Sequence, residues 1–292
     1  LDLEINKSML FSAFKAFIVA ILGLIGTAFV GAYILQYFIE DVDFMHALLY
    51  SVPLSILSSA IIIPSIQGFN EEKKSFLIYE STFSDVLGLL MFQVVLGSLK
   101  TGAVMSSSQV MGKLGSSILF SIFISIVLVY LFQKIRGHTK LFLLFSILIL
   151  LYSIGEALHL SSLLIILIFG IILNNYKSVF VGGLSKLINS DNVDIIQDDF
   201  KVIIRESSFV VRTFFFILFG YYVSLKSLLN IEVIIISLVL FAAIYTIRLL
   251  LIAPTLKGKI WPEIFLAPRG LITILLFFSI PDEYICSISF HT

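Results

Sequence analysis

The chain has 292 residues, 59% hydrophobic and 13% charged, with a mean hydropathy of +1.08 and a formal net charge of zero. Soluble domains run at roughly 45–50% apolar and about 25% charged residues, so this composition belongs to a polytopic membrane protein. Zero net charge offers nucleic acid no electrostatic footprint, and the lone cysteine, Cys286, permits neither an internal disulfide nor a cysteine metal site and reads as a small apolar filler.

The chain opens on LDLEINKS, which lacks the layout of a signal peptide, and stops at SFHT; both ends read as truncated. A bilayer span needs roughly 20 apolar residues. Nine candidates stand in order along the chain: 10–38, 44–66, 76–98, 116–133, 140–155, 158–174, 207–224, 231–253 and 261–281. The fifth and sixth are short and nearly continuous around GEALH. The 175–206 stretch alternates polar and apolar residues and predicts an interfacial amphipathic helix, with a loop as the plain alternative.

Lysine and arginine in loops set orientation. Alternate loops hold Lys73 and Lys74; Lys134, Arg136 and Lys140; Lys177, Lys186, Lys201 and Arg205; and Lys257 and Lys259. The opposite loops hold only Lys100, Lys113 and Lys226, beside the acidic patches Glu40, Asp41, Asp43 and Asp282, Glu283. The first set is therefore expected in the cytoplasm, with the N-terminal end of the chain also inside.

Ionisable groups within spans are costly and point to function. Away from span ends the chain has Glu80, Asp85, Arg212, Arg248 and Arg269. Asp85 lies nine residues past Phe76, so about 14 Å deep at about 1.5 Å per residue, near the midplane. Ser81 shares its helix face at i−4, and Glu80 with Ser84 forms a neighbouring stripe. A carboxylate among hydroxyls offers oxygen ligands to a hard cation and a place for a proton. The plain alternative is a structural acid satisfied by its neighbours.

Arg248 and Glu80 are expected at similar depth on the cytoplasmic side, where a pair would neutralise both charges and leave Asp85 as the free titrating group. The alternative for Arg248, and more so for Arg212, is snorkelling to the interface. Two spans look broken. LYSVPLSILSSAIIIPSIQ (49–67) carries Pro53, Ser58, Ser59 and Pro64, and WPEIFLAPRGLITILLFFSIP (261–281) has Pro268-Arg269-Gly270 at its middle. Interrupted helices in two halves of a membrane protein mark a transporter binding site.

These residues resemble a known family. ESTFSD (80–85) is similar to the ES-x-x-ND signature of the monovalent cation:proton antiporter superfamily, the sodium/proton exchangers, and LSSAIIIPSIQ to the interrupted helix before it. SSLLIILIFGIILNN, RTFFFILFGYYVSL, IRLLLIAP and APRGLITILL resemble later helices in family order, and LDLEINKSM the start of an early core helix. The resemblance implies an all-α inverted-repeat antiporter fold with two crossed, interrupted transmembrane helices. A core transport domain would be built from 1–98 and 231–292, with linking and dimerising scaffold helices and the amphipathic segment at 99–206 and a connecting span at 207–230.

By resemblance, Asp85 matches the essential cation/proton aspartate and is the metal-binding candidate, with Glu80 and Ser81 as the Glu-Ser. Arg248 matches the arginine paired with that glutamate in electroneutral members, and Arg269 with Gly270 the R-G motif of the second broken helix. Two departures stand out. Ser84 occupies the place of the usual Asn or Asp, and Ser58 and Ser59 stand where a Thr-Asp is common, leaving Ser59 as the remaining ligand candidate. The earlier helices and the last core helix of the family are also missing.

The implied function is exchange of protons for Na+ (K+ or Li+ as alternatives) by alternating access, electroneutral because a single aspartate serves both ions. The implied setting is the cell (inner) membrane, in the lipid bilayer and as a homodimer. No cofactor and no enzymatic reaction are expected. A uniporter, channel or organic-anion symporter on a similar scaffold is the competing reading, since Arg248 and Arg269 could bind an anion. A non-transporting receptor fits poorly with an acid at mid-depth. No pair among His46, His138, His159 and His291 has metal-ligand spacing for an intramembrane enzyme.

Overall fold

Long apolar runs without internal breakers form helices, and in lipid every backbone group must be bonded within the segment. The computed structural model describes residues 7–102, 107–132, 140–158, 160, 162–176, 190–223, 229–255 and 261–284. Cys286, His138, His159, His291 and the loop cations Lys134, Arg136, Lys177, Lys186, Lys226, Lys257 and Lys259 lie outside them. The described residues form helices α1 (Lys7–Phe38), α2 (Phe44–Ser55), α3 (Ser59–Ser65), α4 (Glu71–Thr101), α5 (Ser107–Phe132), α6 (Lys140–Ala157), α7 (Ser162–Asn174), α8 (Ser190–Tyr222), α9 (Ile231–Thr255) and α10 (Leu271–Phe278), with 3₁₀ turns at Glu263–Phe265 and Asp282–Tyr284.

The chain divides into two units, residues 5–104 with 218–292, and residues 1–4 with 105–217. In the first unit α1 packs against α2, α4 and α9, and α4 also receives α2 and α3. Small residues make this close approach feasible: Ala16, Ala20, Ala28 and Ala32 of α1 are buried. The opposite face of α1 exposes Phe14, Ile18, Leu22, Ile25, Phe29 and Tyr33, a surface suited to lipid. One apolar cluster gathers Leu24, Leu49, Val52, Ile56, Phe92 and Leu276, and another gathers Val19, Ile62, Phe76, Leu77 and Ala267. In the second unit α5 and α6 pack on α7 around Leu128, Leu151, Ile165 and Phe169.

Among the described residues, four stretches are long and apolar enough to cross a membrane: Ser12–Phe38, Phe44–Ser65, Glu71–Lys100 and Ile231–Thr255. Gly115–Leu128 and Phe145–Ala157 are shorter apolar stretches. The expected separation of the fifth and sixth candidates is present, since α6 ends at Ala157 and α7 begins at Ser162.

One expectation is corrected. The described part of the 175–206 link is not a separate interfacial helix: Ser190–Tyr222 is one continuous helix that runs through the predicted boundary at 206. Residues 200–212 contain neither Gly nor Pro, so nothing in the backbone interrupts the i to i+4 ladder there.

Both expected interruptions are present. The chain leaves helix at Ile56–Ser58, between α2 and α3, and again from Leu266 to Gly270, between the first 3₁₀ turn and α10. α4 passes the first break. It is started by Asn70, whose side chain accepts from the Lys73 N–H at 3.0 Å, and ended by Gly102 in the left-handed region at φ +64°.

Candidate functional site

The first break releases backbone groups that a continuous helix would pair at i and i+4. The N–H of Leu57 goes to Ser84 Oγ of α4 at 2.9 Å. The N–H of Ser58 goes to the Pro268 carbonyl of the second break at 3.0 Å. The N–H of Ser59 goes to Asp85 Oδ2 at 3.3 Å, and Ser59 Oγ donates to the same oxygen. On the carbonyl side, Pro53 accepts from Thr273 Oγ1 of α10 at 3.0 Å and Val52 from Ser55 Oγ at 2.6 Å. The two breaks therefore meet backbone to backbone, and α4 supplies a hydroxyl and a carboxylate to the first of them.

Gly270 makes the crossing feasible. A Cβ there would sit 2.2 Å from Ser58 Oγ and 2.7 Å from Ser58 Cβ, closer than any real contact. Gly88 on α4 has the same role one turn beyond Ser84, where a Cβ would lie 2.3 Å from Ile56 Cγ1.

Below Asp85 on α4, Glu80 faces Arg248 of α9. Nη1 donates to Oε1 at 3.0 Å and Nη2 to Oε2 at 3.4 Å, with side chains 2% and 6% exposed. This two-point pairing neutralises both charges where neither alone is affordable. Arg248 also holds the backbone carbonyl of Glu263, from Nε at 3.3 Å and from Nη2 at 3.2 Å.

The expected site residues separate into groups. Asp85 and Ser59 meet directly, and Glu80 and Arg248 form the expected pair. Ser84 reaches the break, where its hydroxyl oxygen accepts from Leu57. Ser81 is fully buried and turns back on its own helix, donating to the Leu77 carbonyl at 2.8 Å. Arg269 donates from Nη1 to the Ala267 carbonyl at 3.2 Å, and its buried Nε has no hydrogen-bond partner among the described residues. Arg269 lines a cavity of about 30 Å³ together with Glu80, Ser84, Arg248 and Thr27. Arg212 lies on α8, within the other unit.

Sequence reasoning missed Glu263. It is 1% exposed and ion-paired through Oε1 with Lys73 of α4. Its position beside the predicted span end hid it. The signal was Trp261-Pro262-Glu263, an acid placed directly ahead of the broken FLAPRG stretch. Among the described residues no three His, Cys, Asp or Glu side chains gather as a metal cluster, so the ligands near Asp85 are a single carboxylate and hydroxyls.

The site thus joins two touching helix breaks, a carboxylate of α4 hydrogen-bonded to the first of them, and a buried Glu–Arg pair alongside. The profile "Sodium/hydrogen exchanger, transmembrane" matches residues 3–287. The chain belongs to the sodium/hydrogen exchanger family. That family is one of transporters and not a class of enzymes, and the chain is membrane-embedded and multi-pass. The chain is also similar in fold to a solved structure described as the sodium proton antiporter MjNhaP1 from Methanocaldococcus jannaschii at pH 8, with a TM-score of 0.66 and 18% identity. The match covers 92% of this chain and 66% of that one, so this chain spans about two thirds of that protein's length. At that identity the likeness is one of fold. No curated protein matches the chain.

Proposed function

We propose that this exchanger moves protons against a monovalent cation, Na+ first with K+ and Li+ as competitors, by alternating access around Asp85. The observation that carries the reading is the contact of Asp85 with Ser59 at the first helix break. A carboxylate held there by one amide and one hydroxyl can take either a proton or a cation with oxygen ligands. Either ion neutralises it. The bare carboxylate resists crossing an apolar barrier, because an isolated charge in the bilayer is expensive. Obligatory exchange arises from that difference without any nucleotide or resident cofactor.

One carboxylate at the crossing supports a one-for-one, electroneutral stoichiometry. Glu80 does not offer a second open carboxylate, since Arg248 holds both of its oxygens. The same pairing weighs against an anion carrier, because it occupies one of the two arginines that reading needs. The moving core in this reading is 1–98 with 231–292, and 99–206 supplies linking and dimer-forming helices, with 207–230 connecting them. Its setting is the inner membrane of the cell, with the N-terminal end of this chain in the cytoplasm.

The test is exchange in liposomes that hold the complete protein and a trapped pH dye, with a proton gradient imposed before Na+ or K+ is added. Collapse of the gradient in wild type but not in Asp85→Asn is expected. Equal exchange in both would refute Asp85 as the carrier. Uptake of an organic anion without any cation response would establish the competing transport class.

A further inference from the structure

Glu263 is a buried acid that the exchange reaction around Asp85 does not use. Its Oε1 is ion-paired with Lys73 in the first turn of α4, and Oε2 has no hydrogen-bond partner among the described residues. Its backbone carbonyl accepts twice from Arg248, whose remaining donors hold Glu80. Lys73 and Glu80 stand seven residues, or about two turns, apart on α4 and so share a face. Glu263 is thus fastened to α4 at two levels, by its side chain through Lys73 and by its backbone through Arg248 and Glu80.

The segment C-terminal to Glu263 carries this fastening to the site. Leu266–Gly270 lies outside helix, and its Pro268 carbonyl accepts the Ser58 N–H. Ser59, the next residue, donates to Asp85. A shift of the second segment at Glu263 is therefore passed through the 3₁₀ turn Glu263–Phe265 and the non-helical residues after it to the group that holds the carboxylate. A buried ion pair adds little net stability over apolar packing, but it fixes a distance and a direction that apolar contact does not. The pair also sits at an edge: the Lys73 side chain is 21% exposed, against 1% for Glu263.

We propose that Glu263, clamped by Lys73, is a positioning residue that sets the second helix break against the first and so holds Ser58 and Ser59 in register on Asp85. The functional half of this proposal rests on the antiporter reading; the structural half does not.

The experiment has two arms on the full protein. In detergent, hydrogen–deuterium exchange is followed at the amides of residues 57–59 in wild type, Glu263→Gln, Lys73→Gln and the exchanged pair Lys73→Glu/Glu263→Lys. The expected result is exchange at 57–59 about tenfold faster in each single variant, with α1 unchanged, and a return toward wild type in the exchanged pair. Unchanged protection at 57–59 in both single variants overturns the proposal, as does loosening spread evenly through the protein, which marks a merely structural pair.

In liposomes, the apparent KM for Na+ should rise about fivefold in the single variants, with maximal rate per folded molecule within about twofold of wild type. An unchanged KM beside accelerated amide exchange overturns the functional half. A wild type that moves no protons against cations refutes the antiporter reading and leaves the amide-exchange arm to decide the positioning role. If Glu263→Gln does not fold, Lys73→Gln removes the same pair from its more exposed side.

Discussion

Pro53 and Leu57 are four residues apart, yet the hydrogen bond that would join them in a helix is divided between two other elements. The Leu57 N–H goes to Ser84 of α4 and the Pro53 carbonyl to Thr273 of α10. Two hydroxyls thus stabilise an opened turn that lipid would otherwise close, because unpaired backbone groups are not tolerated there. The opening is what brings Ser58 to the second break and Ser59 to Asp85.

Removing either hydroxyl should therefore close or loosen the break. Thr273→Val keeps the shape and deletes the donor, leaving the Pro53 carbonyl unpaired at a cost of about 1–3 kcal/mol. A lowered melting temperature in detergent is expected, with Thr273→Ser near wild type. Equal melting for the valine and serine variants would mean the hydroxyl is idle.

The crossing should be intolerant of a single methyl group. In Gly270→Ala the new Cβ would fall within 2.7 Å of both Ser58 side-chain atoms, and the rigid backbone around them has little room to yield. Exchange should fall at least about tenfold, a barrier increase of about 1.4 kcal/mol. Gly68→Ala, where no atom lies within 4 Å of the added carbon, is the control and should exchange like wild type.

The buried pair should show strong non-additivity. Glu80→Leu or Arg248→Met alone leaves an uncompensated charge and should cost about 3–5 kcal/mol. The double variant Glu80→Leu/Arg248→Met should recover most of that stability. It will not recover all of it, since the Glu263 carbonyl loses the donors that Arg248 provides. Thermal melting of the four proteins closes the cycle; additive losses would contradict a directly coupled pair.

The proposed competition of proton and cation for one carboxylate predicts a pH dependence. As pH falls, more of Asp85 carries a proton and less is available to the cation. The apparent KM for Na+ should then rise with proton concentration while the maximal rate stays level. Transport at several pH values and saturating Na+ distinguishes this from separate sites, for which the maximal rate itself would fall.

Ser59→Ala should be milder than Asp85→Asn. The alanine variant keeps the backbone N–H to Asp85 and loses only the hydroxyl. Weakened but measurable exchange with a raised KM is expected, against none for Asp85→Asn. A silent Ser59→Ala would remove Ser59 from the set of cation ligands.

The sequence by itself determined what is local. Apolar runs set the spans, Pro53 stood just ahead of one helix break and Pro268-Arg269-Gly270 within the other, and Glu80, Asp85 and Arg248 stood out because charge in an apolar run is rare. Helix formation and hydropathy act over a few turns, so these features need no knowledge of the fold. The Glu80–Arg248 pair was legible too, since depth along two spans can be counted. Tertiary structure alone decided which polar group each side chain meets. Ser81 and Ser84 read as equals on one arc of α4, yet one bonds its own helix and the other bonds Leu57. Glu263 looked like a span-end acid until Lys73, 190 positions away in the chain, was brought to it. Even the run through residue 206 on α8 went unseen, because alternating polarity describes which face is wet and says nothing of where the hydrogen-bond ladder stops.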